Sequence, residues 1–218
     1  MRSSIMHSGT LLNRRSLAGI AAGMVVWGGQ SYGQATEARQ PVAELHDALE
    51  TAMHMGRGVP FQQRFDRLAP VIDKVFNLDA ILQTSVGLRW ASLDDTARRN
   101  LSTVFRAFTV ASYTANFDND GGEKFEILPQ TRSSGADVII ETKLIATNGE
   151  PIRIDYVMRN GGPGGWRIVD VLLDGSISRV AVQRSDFRSL LASGDPNPLI
   201  DSLRRKVTDL SGGAIRLS

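Results

Sequence analysis

Residues 161–194 read GGPGGWRIVDVLLDGSISRVAVQRSDFRSLLASG, and this stretch constrains the fold more than any other. A glycine-rich turn leads into the apolar strand Trp166–Leu173, and Asp174-Gly175 leads out of it into a helix with Val180, Val182, Phe187, Leu190 and Leu191 as its apolar residues. Such a strand needs neighbours to satisfy its backbone and a layer to cover its apolar face. The rest of the chain therefore has to supply a sheet and helices that pack on it.

The preceding strands have a period of two. Lys124–Leu128 is a short one. Ala136–Ala146 places Val138, Ile140, Thr142 and Leu144 on one face and Ile139, Glu141, Lys143 and Ile145 on the other. Asn148-Gly149 is a hairpin turn signal, and Ile152–Arg159 then alternates Ile152, Ile154, Tyr156 and Met158 against Arg153, Asp155, Val157 and Arg159. With Trp166–Leu173 these segments form a four-stranded antiparallel meander.

Upstream the period is that of a helix. Pro41–Met55 carries Val42, Leu45, Leu49, Ala52 and Met53, and Phe61–Val75 carries Phe61, Phe65, Leu68, Ile72 and Val75. Asn77 caps a short helix with Leu78, Ile81 and Leu82 on one face. Ser92-Leu93-Asp94-Asp95 opens the longest helix, over about 93–116, whose stripe includes Leu101, Val104, Phe105 and Phe108. Asn197-Pro198 starts a last helix to Leu210. Helices before strands give an α+β class: a helical layer packed on a twisted four-stranded meander, in a single domain over 38–210 with a flexible tail at 211–218.

Residues 1–35 read as a cleavable export signal. Arg14 and Arg15 precede the apolar run Leu17–Trp27, which is too short to span a bilayer, and Gly33-Gln34-Ala35 offers a cleavage site after Ala35. Asn13-Arg14-Arg15-Ser16-Leu17 also resembles a twin-arginine signal, so the Sec and twin-arginine routes both stay open. Either ends outside the cytoplasm, in the periplasm of a cell with two membranes. Three of the 25 basic residues and none of the 23 acidic ones lie in this leader, so the remainder holds 22 against 23. That balance disfavours nucleic acid as a partner.

Catalytic signals are weak. With no cysteine, a disulfide, a thiolate metal site and a cysteine nucleophile are excluded. His46 and His54 are two helical turns apart, too far to chelate a metal, and His7 lies in the leader. Gly161–Gly165 lacks the Lys-Ser/Thr of a phosphate loop. Asp155 and Asp170 are placed to face each other on adjacent strands, but the flanking Arg153 and Arg159 make a solvated, salt-bridged face the expectation. Asp170 shares its strand face with Trp166, Ile168 and Leu172, so its carboxylate is expected to be partly buried, to need a donor and to hold the turn at Gly175. No cofactor is implied. The apolar sheet face and helical stripes fit either a filled core or one opened into a pocket for an apolar ligand.

Trp166-Arg167-Ile168-Val169-Asp170-Val171-Leu172-Leu173-Asp174-Gly175-Ser176-Ile177-Ser178 resembles the G-W-x-V-x-D-V-x-x-x-G-x-S segment of the MlaC-type toluene-tolerance family. Gln183-Arg184-Ser185-Asp186-Phe187-Arg188-Ser189-Leu190 is similar to its Y-R-x-x-F-x-x-I helix, with Gln183 where tyrosine is usual. Phe76-Asn77-Leu78-Asp79-Ala80-Ile81 resembles F-D-x-x-x-I, and Gly87-Leu88-Arg89-Trp90 with Leu93 resembles L-G-x-x-W-x-x-L. The resemblance spans about 40–210. It implies a monomeric periplasmic lipid-binding protein of an ABC-transport system. Such a protein carries a phospholipid, or a hopanoid-type lipid in one branch, between an outer-membrane lipoprotein and porin complex and an inner-membrane ABC permease with a ring of lipid-binding domains. The expected pocket wall is Phe76, Ile81, Phe105, Phe108, Val138, Ile140, Ile154, Tyr156, Val169 and Val171. Two other classes remain: a small isomerase or dehydratase built on Tyr113 or Tyr156 with Asp170, and a ligand-free envelope adaptor with a filled core.

Overall fold

The structure, a computed structural model, describes residues 29–147 and 149–217. Most of the expected leader, and Asn148 of the Asn148-Gly149 turn, lie outside the described residues. In chain order the elements are α1 (Gly29–Met55), α2 (Phe61–Val75), α3 (Leu78–Val86), α4 (Asp95–Asn116), β1 (Lys124–Ser134), β2 (Asp137–Ile145), β3 (Ile152–Asn160), β4 (Trp166–Leu173), β5 (Ile177–Ser178), α5 (Arg179–Leu190) and α6 (Asn197–Leu210). No described helix is long and apolar enough to cross a membrane.

The class is α+β, and the sheet is antiparallel in the sequential order β1-β2-β3-β4-β5. It has five strands where four were expected. The extra strand is only two residues long, and a tight turn at Asp174-Gly175 creates it. Both residues have left-handed backbones, φ 50° and 71°, as a type I′ turn requires, and Ser176 N donates to Leu173 O at 3.1 Å. A side chain at position 175 would also collide: its Cβ would stand 2.6 Å from Arg153 Nε. Glycine meets both constraints.

Two irregularities shape the sheet. In β1 the pairing slips between Ile127 and Thr131, where Pro129 has no amide hydrogen to give to a ladder. The carbonyls of Leu128 and Pro129 accept instead from Arg39 Nη1 and Nη2 at 2.7 and 2.6 Å. Between β3 and β4 the register shifts after Val157↔Asp170 to Met158↔Ile168, leaving Val169 as the extra residue of a bulge. A bulge reverses the alternation of the strand it interrupts. Before it, Ile168 lies opposite the inward-facing Met158; after it, Val171 lies opposite the inward-facing Tyr156.

The inward face carries Val138, Ile140, Ile154, Tyr156 and Met158, and α1 crosses it with Val42, Leu45 and Leu49 buried against the core. Each such side chain adds about 1.5–3 kcal/mol on burial. The starts of α3, α4 and α5 are set by side-chain caps. The Asn77 side chain accepts from Ala80 N at 3.1 Å at the start of α3, and Asp94 accepts from Ala97 N at 2.7 Å at the start of α4. Ser92 belongs to the preceding 3₁₀ turn Gly87–Ser92 instead of capping α4.

Residues 211–217, expected as a frayed tail, fold back on the domain. Gly212 and Gly213 adopt φ 57° and 83° and reverse the chain. Ile215 is then buried, with its amide donating to Ser211 Oγ at 3.1 Å.

Candidate functional site

A cavity of about 260 Å³ lies between the sheet and helices α3, α4 and α5. From the end of α2 and the start of α3 come Phe76, Leu78 and Ile81; β3 and β4 give Ile154, Tyr156, Asp170, Val171 and Leu173. Helix α4 and its C-cap Phe117 contribute Phe105, Phe108, Thr109, Ser112, Tyr113, Asn116 and Phe117, which recur at three- and four-residue spacing as one continuous stripe. Arg179, Val180 and Gln183 on the first turns of α5 complete the wall.

Seven of the ten expected wall residues line this cavity: Phe76, Ile81, Phe105, Phe108, Ile154, Tyr156 and Val171. Val138 and Ile140 face inward as expected but belong to the packed core, with Ile140 fully buried. Val169 sits in the β4 bulge, which removes it from the phase of Val171. The lining also includes residues outside the expected wall, notably the polar continuation of the α4 stripe, Thr109, Ser112 and Asn116, and the α5 set. The spacing from Phe105 and Phe108 signals the first group; a search restricted to apolar residues passes over it.

Buried polar groups back the apolar wall. The Tyr156 hydroxyl lies 3.3 Å from His46 Nε2, and the His46 ring stacks on Phe125 at 4.2 Å. Burial lowers the His46 pKa to about 4, so the imidazole is neutral at pH 7. Burial raises the phenol of Tyr156 well above its ordinary value. It raises that of Tyr113 as well, outweighing the lowering effect of nearby Arg179. Both phenols are therefore protonated donors at neutral pH, not bases.

Asp170 reaches the cavity wall with both oxygens engaged. Oδ1 accepts from Val171 N at 2.8 Å and Val180 N at 3.0 Å, while Oδ2 accepts from Ser178 Oγ at 2.5 Å. Ser178 Oγ in turn accepts from Ala181 N at 2.9 Å. The carboxylate thus holds β4 to the start of α5, one turn of chain beyond the expected anchor at Gly175. Gln183, at the position where the family motif has tyrosine, accepts from Ser85 Oγ at 3.1 Å and ties α5 to α3. Arg179 is exposed at the cavity rim, and among the described residues no carboxylate stands within ion-pair distance of it.

Asp155 and Asp170 do not form a pair: Asp155 lies opposite Leu172, and Asp170 opposite Val157. Nor is Asp155 on a solvated face. It is 0% exposed, sealed by Arg132 Nη2 at 2.5 Å and Arg153 Nη2 at 3.0 Å, and it accepts from Thr142 N at 3.3 Å. The arginines lie over the carboxylate and take the solvent exposure themselves. Arg159 pairs with Asp137 instead, at 2.6 Å.

The model of the family described as MlaC protein matches residues 44–205. A solved structure described as the phospholipid-binding protein from Ralstonia solanacearum in complex with a phospholipid superposes with a TM-score of 0.69 at 20% identity, covering 80% of this chain and 99% of that one. That likeness is one of fold. No curated protein sequence matches the chain.

Proposed function

The chain belongs to the MlaC protein family, and on that premise we propose that it is a periplasmic lipid carrier. It takes an acyl chain of a phospholipid, or of a hopanoid-type lipid, into the cavity between the sheet and α3–α5 and leaves the polar head outside. It passes this cargo between an outer-membrane complex and an inner-membrane ABC permease. Residues 1–35 are the export signal that directs it there, and the domain from 38 onward is the carrier.

The observation that carries this reading is the cavity itself: about 260 Å³, walled by phenylalanine, isoleucine, leucine and valine side chains from two layers of the fold. Each methylene withdrawn from water contributes about 0.8 kcal/mol, so an apolar slot is what a carrier needs. The Ralstonia solanacearum protein, of the same fold and described with a phospholipid bound, supports the same reading.

Tyr113, Tyr156 and Asp170 all reach the cavity, which is the set an isomerase or dehydratase would use. Such chemistry needs a free base. The phenols are protonated, and both Asp170 oxygens are engaged by Val171, Val180 and Ser178, which favours carriage over catalysis.

The test is transfer of a fluorescent phospholipid from donor to acceptor vesicles by the purified protein. Ile154→Trp and Val171→Trp fill the cavity from the sheet side and should reduce transfer at least tenfold while far-UV circular dichroism stays unchanged. Undiminished transfer by both folded variants would contradict the proposal.

A further inference from the structure

The 3₁₀ turn Gly87–Ser92 holds a leucine out in water. Leu88 is 91% exposed, more than any other large apolar side chain among the described residues. The turn around it is braced. Gly87 ends α3 at φ 68°, and Ser92 Oγ donates to Arg89 O at 2.8 Å. Arg98 donates to Trp90 O at 3.3 Å and Ala91 O at 3.1 Å, and its guanidinium sits 5.8 Å from the centre of the Trp90 ring. A single exposed apolar side chain is ordinary on a protein surface. What distinguishes Leu88 is the charge beside it.

Three exposed arginines share this surface. Arg89 follows Leu88 directly, and its Nη2 donates to Ala192 O just past α5 at 3.3 Å, a neutral acceptor. Arg184 on α5 lies over the turn: a Cβ at position 87 would stand 3.3 Å from its Nε. Arg188 is one helical turn further along, on the same face of α5. Among the described residues none of the three has a carboxylate within ion-pair distance. Asp186, the one acid of α5, is two residues from both arginines and so faces elsewhere. The nearby acids have other partners: Asp94 accepts from Ala97 N, Asp95 pairs with Arg98 at 3.5 Å, and Asp195 accepts from Asn197 N. Beyond the leader the chain holds 22 basic against 23 acidic residues, so this positive excess is local.

We propose that Leu88, with Arg89, Arg184 and Arg188 beside it, is a docking point for the surface of an anionic lipid bilayer. The apolar side chain enters the headgroup boundary and the cations meet lipid phosphates, the two signals that together hold a protein on a membrane. The arrangement fits a bilayer better than a protein. A protein interface has an apolar core depleted of charge, whereas here a lone leucine stands among cations. One leucine and three arginines give weak, reversible attachment. None of the four lines the cavity, so the proposal does not rest on the carrier reading.

The experiment is co-sedimentation of the full chain with vesicles of phosphatidylcholine alone and of phosphatidylcholine mixed with phosphatidylglycerol. The parent should sediment with the anionic vesicles and not with the neutral ones, and less so as salt rises. Arg184→Gln/Arg188→Gln should weaken binding about tenfold, and Leu88→Ser severalfold, with unchanged far-UV circular dichroism. Ile145→Ser, which alters an exposed isoleucine on the sheet, should bind as the parent does. No binding of the parent to anionic vesicles would overturn the proposal and leave an acidic protein face as the match for these arginines. Equal binding to both vesicles, undiminished binding by both folded variants, or an equal loss in Ile145→Ser would overturn it as well.

Discussion

His46 Nε2 stands 3.3 Å from the hydroxyl of Tyr156, with the imidazole neutral and both side chains buried beside the cavity. In the unfolded chain this histidine titrates near 6.5; in the fold its pKa is about 4. As pH falls below 6.5 the unfolded state takes up the proton first, so stability is lost progressively down to about pH 4. The full loss is on the order of 3 kcal/mol. His46→Gln retains a hydrogen-bonding group but cannot titrate. Its thermal midpoint should fall less steeply than that of the parent between pH 6.5 and 4, and parallel curves would show that His46 is not the group responsible.

Asp170 joins β4 to α5 through three donors, two of them backbone amides. Asp170→Ala leaves those donors without a partner and removes the support of the Ser178 cap. The expected cost is about 2–3 kcal/mol, read as a lower midpoint of denaturant unfolding. Hydrogen exchange at Val180 and Ala181 should accelerate more than exchange at Ile140. Uniform acceleration would point to general loosening and not to this junction.

Asp155 is the buried end of a charge cluster whose other members, Arg132, Arg153 and Glu141, sit nearer to solvent. Removing it with Asp155→Ala leaves Thr142 N without its side-chain acceptor and brings two arginines together without their shared anion. We expect a loss of about 2–3 kcal/mol in stability, with lipid transfer by the remaining folded protein unchanged, since Asp155 does not line the cavity. A transfer defect in excess of the folding defect would mean that the outer face of the sheet takes part in carriage.

Much of the fold is legible in the residues because periodicity and caps are local. The helical stripes, the three long hairpin-connected strands and the Asn77 cap follow from spacing alone. The departures have physical causes of longer range. Strand β5 has two residues, too few to show alternation, and exists because Asp174 and Gly175 both take left-handed backbones. An unbroken period of two would put Val169 on the wall with Val171, and the bulge opposite Val157 and Met158 breaks it. Alternation puts Val138 and Ile140 on the inward face, but which part of a face is filled by a helix and which is left open depends on where α1 lies. Asp155 shows the same limit for charge: its neighbours in sequence predict pairing, while Arg132, which completes its burial, comes from a strand two places away in the sheet.

The central claim is that the cavity holds a lipid. The most direct measurement is mass spectrometry of an organic extract of the protein purified after export, compared with Ile154→Trp prepared identically. A phospholipid or hopanoid-type lipid near one per protein, sharply reduced in the variant, is the predicted result. A protein that yields no lipid, or a variant that retains as much lipid as its parent, would contradict it.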